Sequence, residues 1–465
     1  MERLHPIDLG IVILYFLIIL SIGLTLYRRE RGSSASEFLL AGRQLSLPAF
    51  VATLVTTWYG GILGVGEFSY SYGISNWLVF GVPYYVAAVL FGMFLARKAR
   101  SLELYTIPHH LERSYGRTVS LIGAVFVFIM SVPAAYILML AVLMEFFFGL
   151  SLFWGLVAGT LLSMGYVVVG GFRSVVRTDY VQFGLMFGSF MIILPVAYAN
   201  YGGMEFLQSH VPQSHFIWHG GQGAQYIIVW FFIALVTLID PGFYQRCFAA
   251  RSGRTAQMGI FVSILFWIFF DFLTTFTGLY ARAILPDLKD PVTAYISLGQ
   301  KLLPPAVLGI FLTGLLSTIM STVDSYSFLA ATTIGRDFFW RLKNGAPESK
   351  IRTYTQVGLI FSGALAVLIA YSAQSVVRIW KDIGSVGTPA LVVPMVVSFY
   401  PTLKMTKKFV LVSMVGSALL SGVWVFSKSF NAGVYLFGIE PIYPGLGFSL
   451  FMFLLNHIYS AKRKG

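Results

Sequence analysis

Charge is scarce in this sequence. Only 11% of the 465 residues are Asp, Glu, Lys or Arg, and 57% are hydrophobic. Soluble domains carry about 25% charged residues, so a soluble globular protein is excluded and an all-α integral membrane protein is expected. Cysteine is nearly absent. Cys247 stands alone, which rules out a disulfide framework.

The marks of covalent and nucleotide chemistry are missing too. No P-loop, nucleophile elbow or HExxH occurs, so ATP-driven pumping and hydrolysis lack the residues they need. His210, His215 and His219 share a polar stretch, but their irregular spacing does not make a metal site. No linker, low-complexity tract or soluble domain interrupts the chain. A single transmembrane domain over 1–465 is expected, and no enzyme.

Long apolar runs are what the chain has instead. The first, Ile7 to Tyr27, meets the ~20 residues needed to cross a ~30 Å core. It runs into Arg28-Arg29-Glu30-Arg31 with no small-residue cleavage site before it, so it reads as a retained span. About thirteen spans are expected, near 7–27, 47–71, 76–97, 119–147, 151–171, 176–200, 225–248, 259–283, 303–331, 354–373, 377–400, 408–427 and 441–460. With the N-terminus outside, most of the 32 Lys and Arg fall on the cytoplasmic side, Arg246 to Arg254 and Lys462 to Lys464 among them. That is the positive-inside rule. The net charge of +13 therefore reports orientation in a cell membrane, with the C-terminus cytoplasmic, rather than a nucleic-acid partner.

Two spans read as broken. The second contains WYGGILGVGEF, with Gly60, Gly61, Gly64 and Gly66 close together; glycine is a poor helix former, although Gly60 and Gly64 also make a GxxxG packing face. The seventh contains LIDPGFYQR, where Pro241 cannot donate to the helix ladder and Asp240 would be costly against lipid. The breaks lie five spans apart, an odd offset that reverses orientation. Spans 2–6 (about 47–200) and 7–11 (about 225–400) thus read as inverted repeats, each opening with an interrupted helix, and such pairs mark a transporter's midplane site. The spans at 7–27, 408–427 and 441–460 lie outside these repeats.

The stretch IMSTVDSYS, 319–327, places hydroxyls and a carboxylate deep in an apolar run. Ser321, Asp324 and Ser325 share one helical face, and Thr322 lies beside it. Oxygen-only donors suit a hard cation such as Na⁺ and not a transition metal; a plain interhelical hydrogen-bond patch is the alternative. Asp179, in RTDYVQ, is a second intramembrane acid, or else a helix N-cap. Glu67, Glu145 and Asp271 also lie at membrane depth and are not ranked as sites.

These residues resemble a known family. SEFLLAGRQLS, LGVGEFSYSYG, GGFRSVVRTDYVQ, QRCFAARS and MSTVDS followed by GRDFF, in this order over nearly the whole chain, look like the sodium:solute symporters, which include bacterial sodium/proline and sialic acid transporters and animal sodium/glucose transporters. The resemblance implies a LeuT-type core of two inverted five-helix repeats within 13 helices. It implies a principal sodium site at the hydroxyls of Ser321 and Thr322, the Thr318 carbonyl, and span 2 carbonyls near Leu54 and Thr57. A second sodium site, present in some members, would join Asp179 to Ser321, Asp324 and Ser325, with Asp324 where a relevant member has Ser.

The resemblance also places Trp58, Thr237, Asp240 and Lys381 toward the solute. A Lys there would suit a carboxylate-bearing solute; snorkelling or pairing with Asp382 is the alternative. The expected function is sodium-coupled import of a small organic solute. Proton coupling through Asp179 and Asp324, or a transporter-like solute sensor, are the other readings.

Overall fold

The computed structural model describes residues 4–30, 34–343, 347–373, 375–431 and 433–462. Arg31, Arg463 and Lys464, counted above with the basic side, lie outside the described residues. Eleven helices among the described residues are long and apolar enough to cross a membrane, slightly fewer than the expected thirteen. The two expected spans that fall short are helical nonetheless. One is the short apolar segment Leu152–Val167. The other is the helix Val376–Ser398, which carries Arg378, Lys381 and Asp382 in its first turns.

The helix from Leu152 runs to Tyr201 with a sharp break at Gly171, φ 60° and ψ −160°. A side chain would be strained at that φ, and its Cβ would meet the Phe38 carbonyl oxygen at 2.7 Å, so the position requires glycine.

Polarity sorts the bundle. The helix Val307–Thr332, which carries IMSTVDSYS, is buried along nearly its whole length. It packs against Leu152–Tyr201, Pro6–Glu30 and Leu47–Trp58. Helices Lys350–Ala373 and Lys407–Phe430 lie at the periphery and expose Ile360, Leu368, Leu419 and Phe426, as a face toward hydrocarbon would. The hydroxyls of IMSTVDSYS thus face protein, where other polar groups can satisfy them.

Both expected interruptions are present. Leu47–Trp58 tightens into a 3₁₀ turn, Tyr59–Gly61, before resuming as Ile62–Tyr72. None of Gly60, Gly61, Gly64 and Gly66 has positive φ. Close approach is what demands glycine here: a Cβ on Gly60 would lie 2.6 Å from Thr322 Cγ2, and closer still to its Cβ and Oγ1.

The second interruption is more open. Ala224–Ile233 passes through a 3₁₀ stretch, Ala234–Ile239, to Asp240 in an extended conformation, and a new helix begins at Pro241. Pro241 sits where its missing N–H costs nothing. The Asp240 carboxylate accepts from Phe243 N at 3.0 Å and caps the new helix. That helix, Pro241–Ala249, is buried throughout. Arg246 therefore does not belong to a cytoplasmic loop as expected: the restarted helix carries it into the core, where it has no exposure at all.

Candidate functional site

Three helices converge where the first break meets IMSTVDSYS. Thr322 Oγ1 donates to the Thr57 carbonyl oxygen at 2.8 Å and stands 3.5 Å from the carbonyl oxygens of Thr56 and Thr318. The span 2 carbonyls that meet Thr322 are thus those of Thr56 and Thr57, while Leu54 lies about a turn earlier on the same helix. Ser321 Oγ donates to Asp179 Oδ1 at 2.6 Å. The donors are all oxygen and all buried, and no group of three or more His, Cys, Asp or Glu among the described residues could hold another metal. The set fits a small hard cation.

Asp179 sits inside the helix that continues past Gly171, not at its start, so the N-cap reading fails. Its other oxygen accepts from Thr53 Oγ1. Next to it lies the buried Arg246. Arg246 Nη2 donates to Thr53 Oγ1 at 3.0 Å, Thr57 Oγ1 at 2.9 Å and Ser325 Oγ at 2.7 Å, and Nη1 donates to Gln245 Oε1 at 3.1 Å. Its guanidinium also lies 5.2 Å from the Phe172 ring centroid. A positive charge therefore already sits among the hydroxyls beside Asp179.

Asp324 is not part of that group. Its carboxyl accepts from Ser163 Oγ and Tyr166 Oη, both on the Leu152–Tyr201 helix. The four residues expected to form a second sodium site are thus divided: Asp179, Ser321 and Ser325 gather near Arg246, and Asp324 turns to other partners.

Beyond the first break lies a cavity of about 170 Å³. Trp58 and Asp240, two of the expected solute-facing residues, line it. Asp240 also accepts from Tyr326 Oη at 2.6 Å. Thr237 is fully buried, does not line the cavity, and its hydroxyl has no partner among the described residues. Lys381 does not line it either: its Nζ is 2.9 Å from Glu440 Oε1, while Asp382 faces Arg378. The expected pairing of Lys381 with Asp382 is corrected: Glu440 is its partner, and Lys381 stands off the cavity wall. The preceding residue, Trp380, reaches the cavity instead. Asp271 lines it as well, accepting from Tyr59 Oη at 2.8 Å and from Tyr85 Oη. A lone acid in the run FWIFFDFLTTF was the available signal for Asp271; nothing local in QRCFAARS could have shown that Arg246 turns inward.

The sequence pattern of the sodium:solute symporter family matches residues 38–416. This chain belongs to that family. It is similar to the sodium/pantothenate symporter of Escherichia coli (strain K12), 23% identical with 95% of this chain and 94% of that protein covered. It is also similar to the high-affinity proline transporter PutP of Bacillus subtilis (strain 168), 26% identical with 93% of each covered. High-affinity choline transporter 1 of Drosophila melanogaster is 24% identical, covering 93% of this chain and 72% of that one.

Among solved structures, a Na⁺-coupled sialic acid symporter in a substrate-bound outward-open state aligns with a TM-score of 0.79 at 15% identity, over 97% of this chain and 98% of that one. Mhp1, a nucleobase-cation-symport-1 family transporter, aligns with a TM-score of 0.62 at 12% identity, over 92% and 95%. The symporter therefore has a LeuT-type core of two inverted repeats. It is a multi-pass membrane transporter that couples sodium to the import of a small solute by alternating access, and it is not an enzyme.

Proposed function

We propose that the coupling sodium binds where Thr322 meets the first broken helix, held by the Ser321 and Thr322 hydroxyls and the carbonyls of Thr318, Thr56 and Thr57. The observation that carries this reading is the 2.8 Å approach of Thr322 Oγ1 to the Thr57 carbonyl oxygen, across a gap that the missing Cβ of Gly60 leaves open. In this reading the repeats span about 47–200 and 225–400. The N-terminus lies outside a cell membrane and the C-terminus is cytoplasmic, in keeping with the distribution of Lys and Arg.

The second oxygen set takes a different cation. Arg246 Nη2 donates to Thr53, Thr57 and Ser325, spending lone pairs that a second sodium would need, and its charge lies beside Asp179. A tethered guanidinium serves there in place of an ion, so one sodium moves per cycle. The test is uptake into proteoliposomes against imposed sodium gradients. Sodium activation should have a Hill coefficient near one, and Ser321→Ala with Thr322→Ala should raise the half-saturating sodium at least tenfold, about 1.4 kcal/mol. Unchanged sodium dependence in the folded double variant would refute the site, and a coefficient near two would refute the count.

A second reading rests on Asp324, whose carboxyl is held by two neutral hydroxyls in a form able to carry a proton. If protons drive uptake, Asp324→Asn removes its pH dependence and leaves the sodium response intact. Uptake indifferent to an imposed proton gradient sinks this alternative.

A further inference from the structure

The cavity beside the first broken helix has a consistent chemistry. Its aromatic wall includes Trp58, Tyr84, Trp230 and Trp380, and its only charged lining side chains among the described residues are Asp240 and Asp271. The rings are held by one another: Trp58 lies 5.3 Å from Tyr84 and 5.3 Å from Trp267, with Phe80 4.9 Å from Trp230. Such a wall is rigid before any solute arrives, which lowers the ordering cost of binding.

The two acids receive hydrogen bonds from neutral donors, Tyr326 and the Phe243 amide for Asp240, Tyr59 and Tyr85 for Asp271. Arg246, the buried cation on the same helix as the Asp240 cap, attracts Asp240 from a distance but directs its hydrogen bonds to Gln245, Thr53, Thr57 and Ser325, so Asp271 is the acid with no cation beside it among the described residues. Lys381 is held by Glu440. A buried carboxylate without a cation is costly, and an aromatic wall attracts cations through the negative faces of its rings. An anionic solute would meet two carboxylates and no basic group.

We propose that the transported solute is a small organic cation, an amine or quaternary ammonium compound whose charged head sits among the aromatic rings and beside Asp271. This rests on the transport reading and replaces the carboxylate-bearing solute expected from Lys381. The cavity, about 170 Å³, has room for a solute of that size.

The test uses the purified full-length protein in sodium, with the cavity tryptophans as fluorescent reporters and thermal stabilisation as a second readout. The probes are tetramethylammonium, choline, the uncharged choline isostere 3,3-dimethylbutan-1-ol, and acetate. The expected result is saturable binding of at least one ammonium compound at a concentration at least tenfold below the isostere, with no response to acetate. Asp271→Asn, which keeps one acceptor oxygen and turns the other position into an amide donor that a tyrosine hydroxyl can accept from, should remove that preference. Equal binding of the isostere, binding of acetate alone, or no response to either ammonium compound overturns the proposal, and the wild-type comparison decides this even if the variant does not fold. Stabilisation by sodium without solute reads the ion site separately: it persists if only the solute class is wrong.

Discussion

Three glycines in one turn and a half allow the proposed ion site and the proposed solute site to be perturbed separately. Gly60, Gly61 and Gly64 all have backbone angles open to alanine, so each Gly→Ala change acts through the space that its methyl group needs. At Gly60 that methyl would lie 2.6 Å from Thr322 Cγ2. Carbon contacts normally sit at about 3.5–4.0 Å, so the two helices must part by roughly 1 Å. Overpacking of this kind costs about 1–3 kcal/mol, and it moves the Thr322 hydroxyl off the Thr57 carbonyl.

At Gly61 the methyl would meet the rigid Trp380 ring, 2.6 Å from Cζ2, and drive it toward the cavity. At Gly64 the nearest atom is Trp380 Cζ3 at 3.5 Å, an ordinary contact. Gly60→Ala should therefore weaken sodium binding at least tenfold, measured as sodium-induced thermal stabilisation without solute. Gly61→Ala should leave that value unchanged and raise the half-saturating solute concentration in uptake at least tenfold. Gly64→Ala should change either by less than about twofold while gaining helix propensity of up to ~1 kcal/mol. Equal effects of Gly60→Ala and Gly61→Ala on sodium, or none from Gly60→Ala, would refute this division and favour a plain packing face.

Three further outcomes are expected. Arg246→Gln frees the oxygens of Thr53, Thr57 and Ser325 beside Asp179, so sodium activation should steepen toward a Hill coefficient of two; a slope that stays at one in a folded, active variant counts against the tethered-cation reading. Lys381→Gln should lower thermal stability by leaving Glu440 partly buried and unpaired, with added Glu440→Gln recovering most of the loss and the solute requirement unmoved; a large shift in that requirement would return Lys381 to the solute site. His109, on the helix Ile107–Tyr115 outside the membrane spans, has its pKa pushed down to about 3, first by burial and then by Arg336 and other arginines. The folded imidazole stays neutral while the unfolded chain takes up a proton below pH ~6.5, so stability should fall as pH drops from 6.5 toward 3. The slope is at most about 1.4 kcal/mol per pH unit, less after allowing for partial exposure, and His109→Gln should flatten the melting-temperature profile between pH 7 and 5.

Composition and periodicity were enough to establish that this is a helical membrane protein. The paired breaks at Gly60–Gly61 and Asp240–Pro241 followed from the same reading, because glycine and proline act on the backbone where they stand. The hydroxyls of Ser321 and Thr322 were legible for a similar reason: polar groups in an apolar run are costly, and the cost is visible without knowing the neighbours. Partnership was not legible. Asp324 and Ser325 are adjacent in sequence, yet the helix turns one toward Ser163 and Tyr166 and the other toward Arg246. Lys381 meets Glu440, 59 residues away, instead of Asp382 beside it. Arg246 reads as a loop residue until the restarted helix is seen to run through the core. The acids of the cavity, Asp240 and Asp271, come from separate helices that only packing brings together. Local backbone chemistry sets where a helix breaks, whereas the pairing of charges depends on which faces meet across the bundle, and tertiary structure alone decides that.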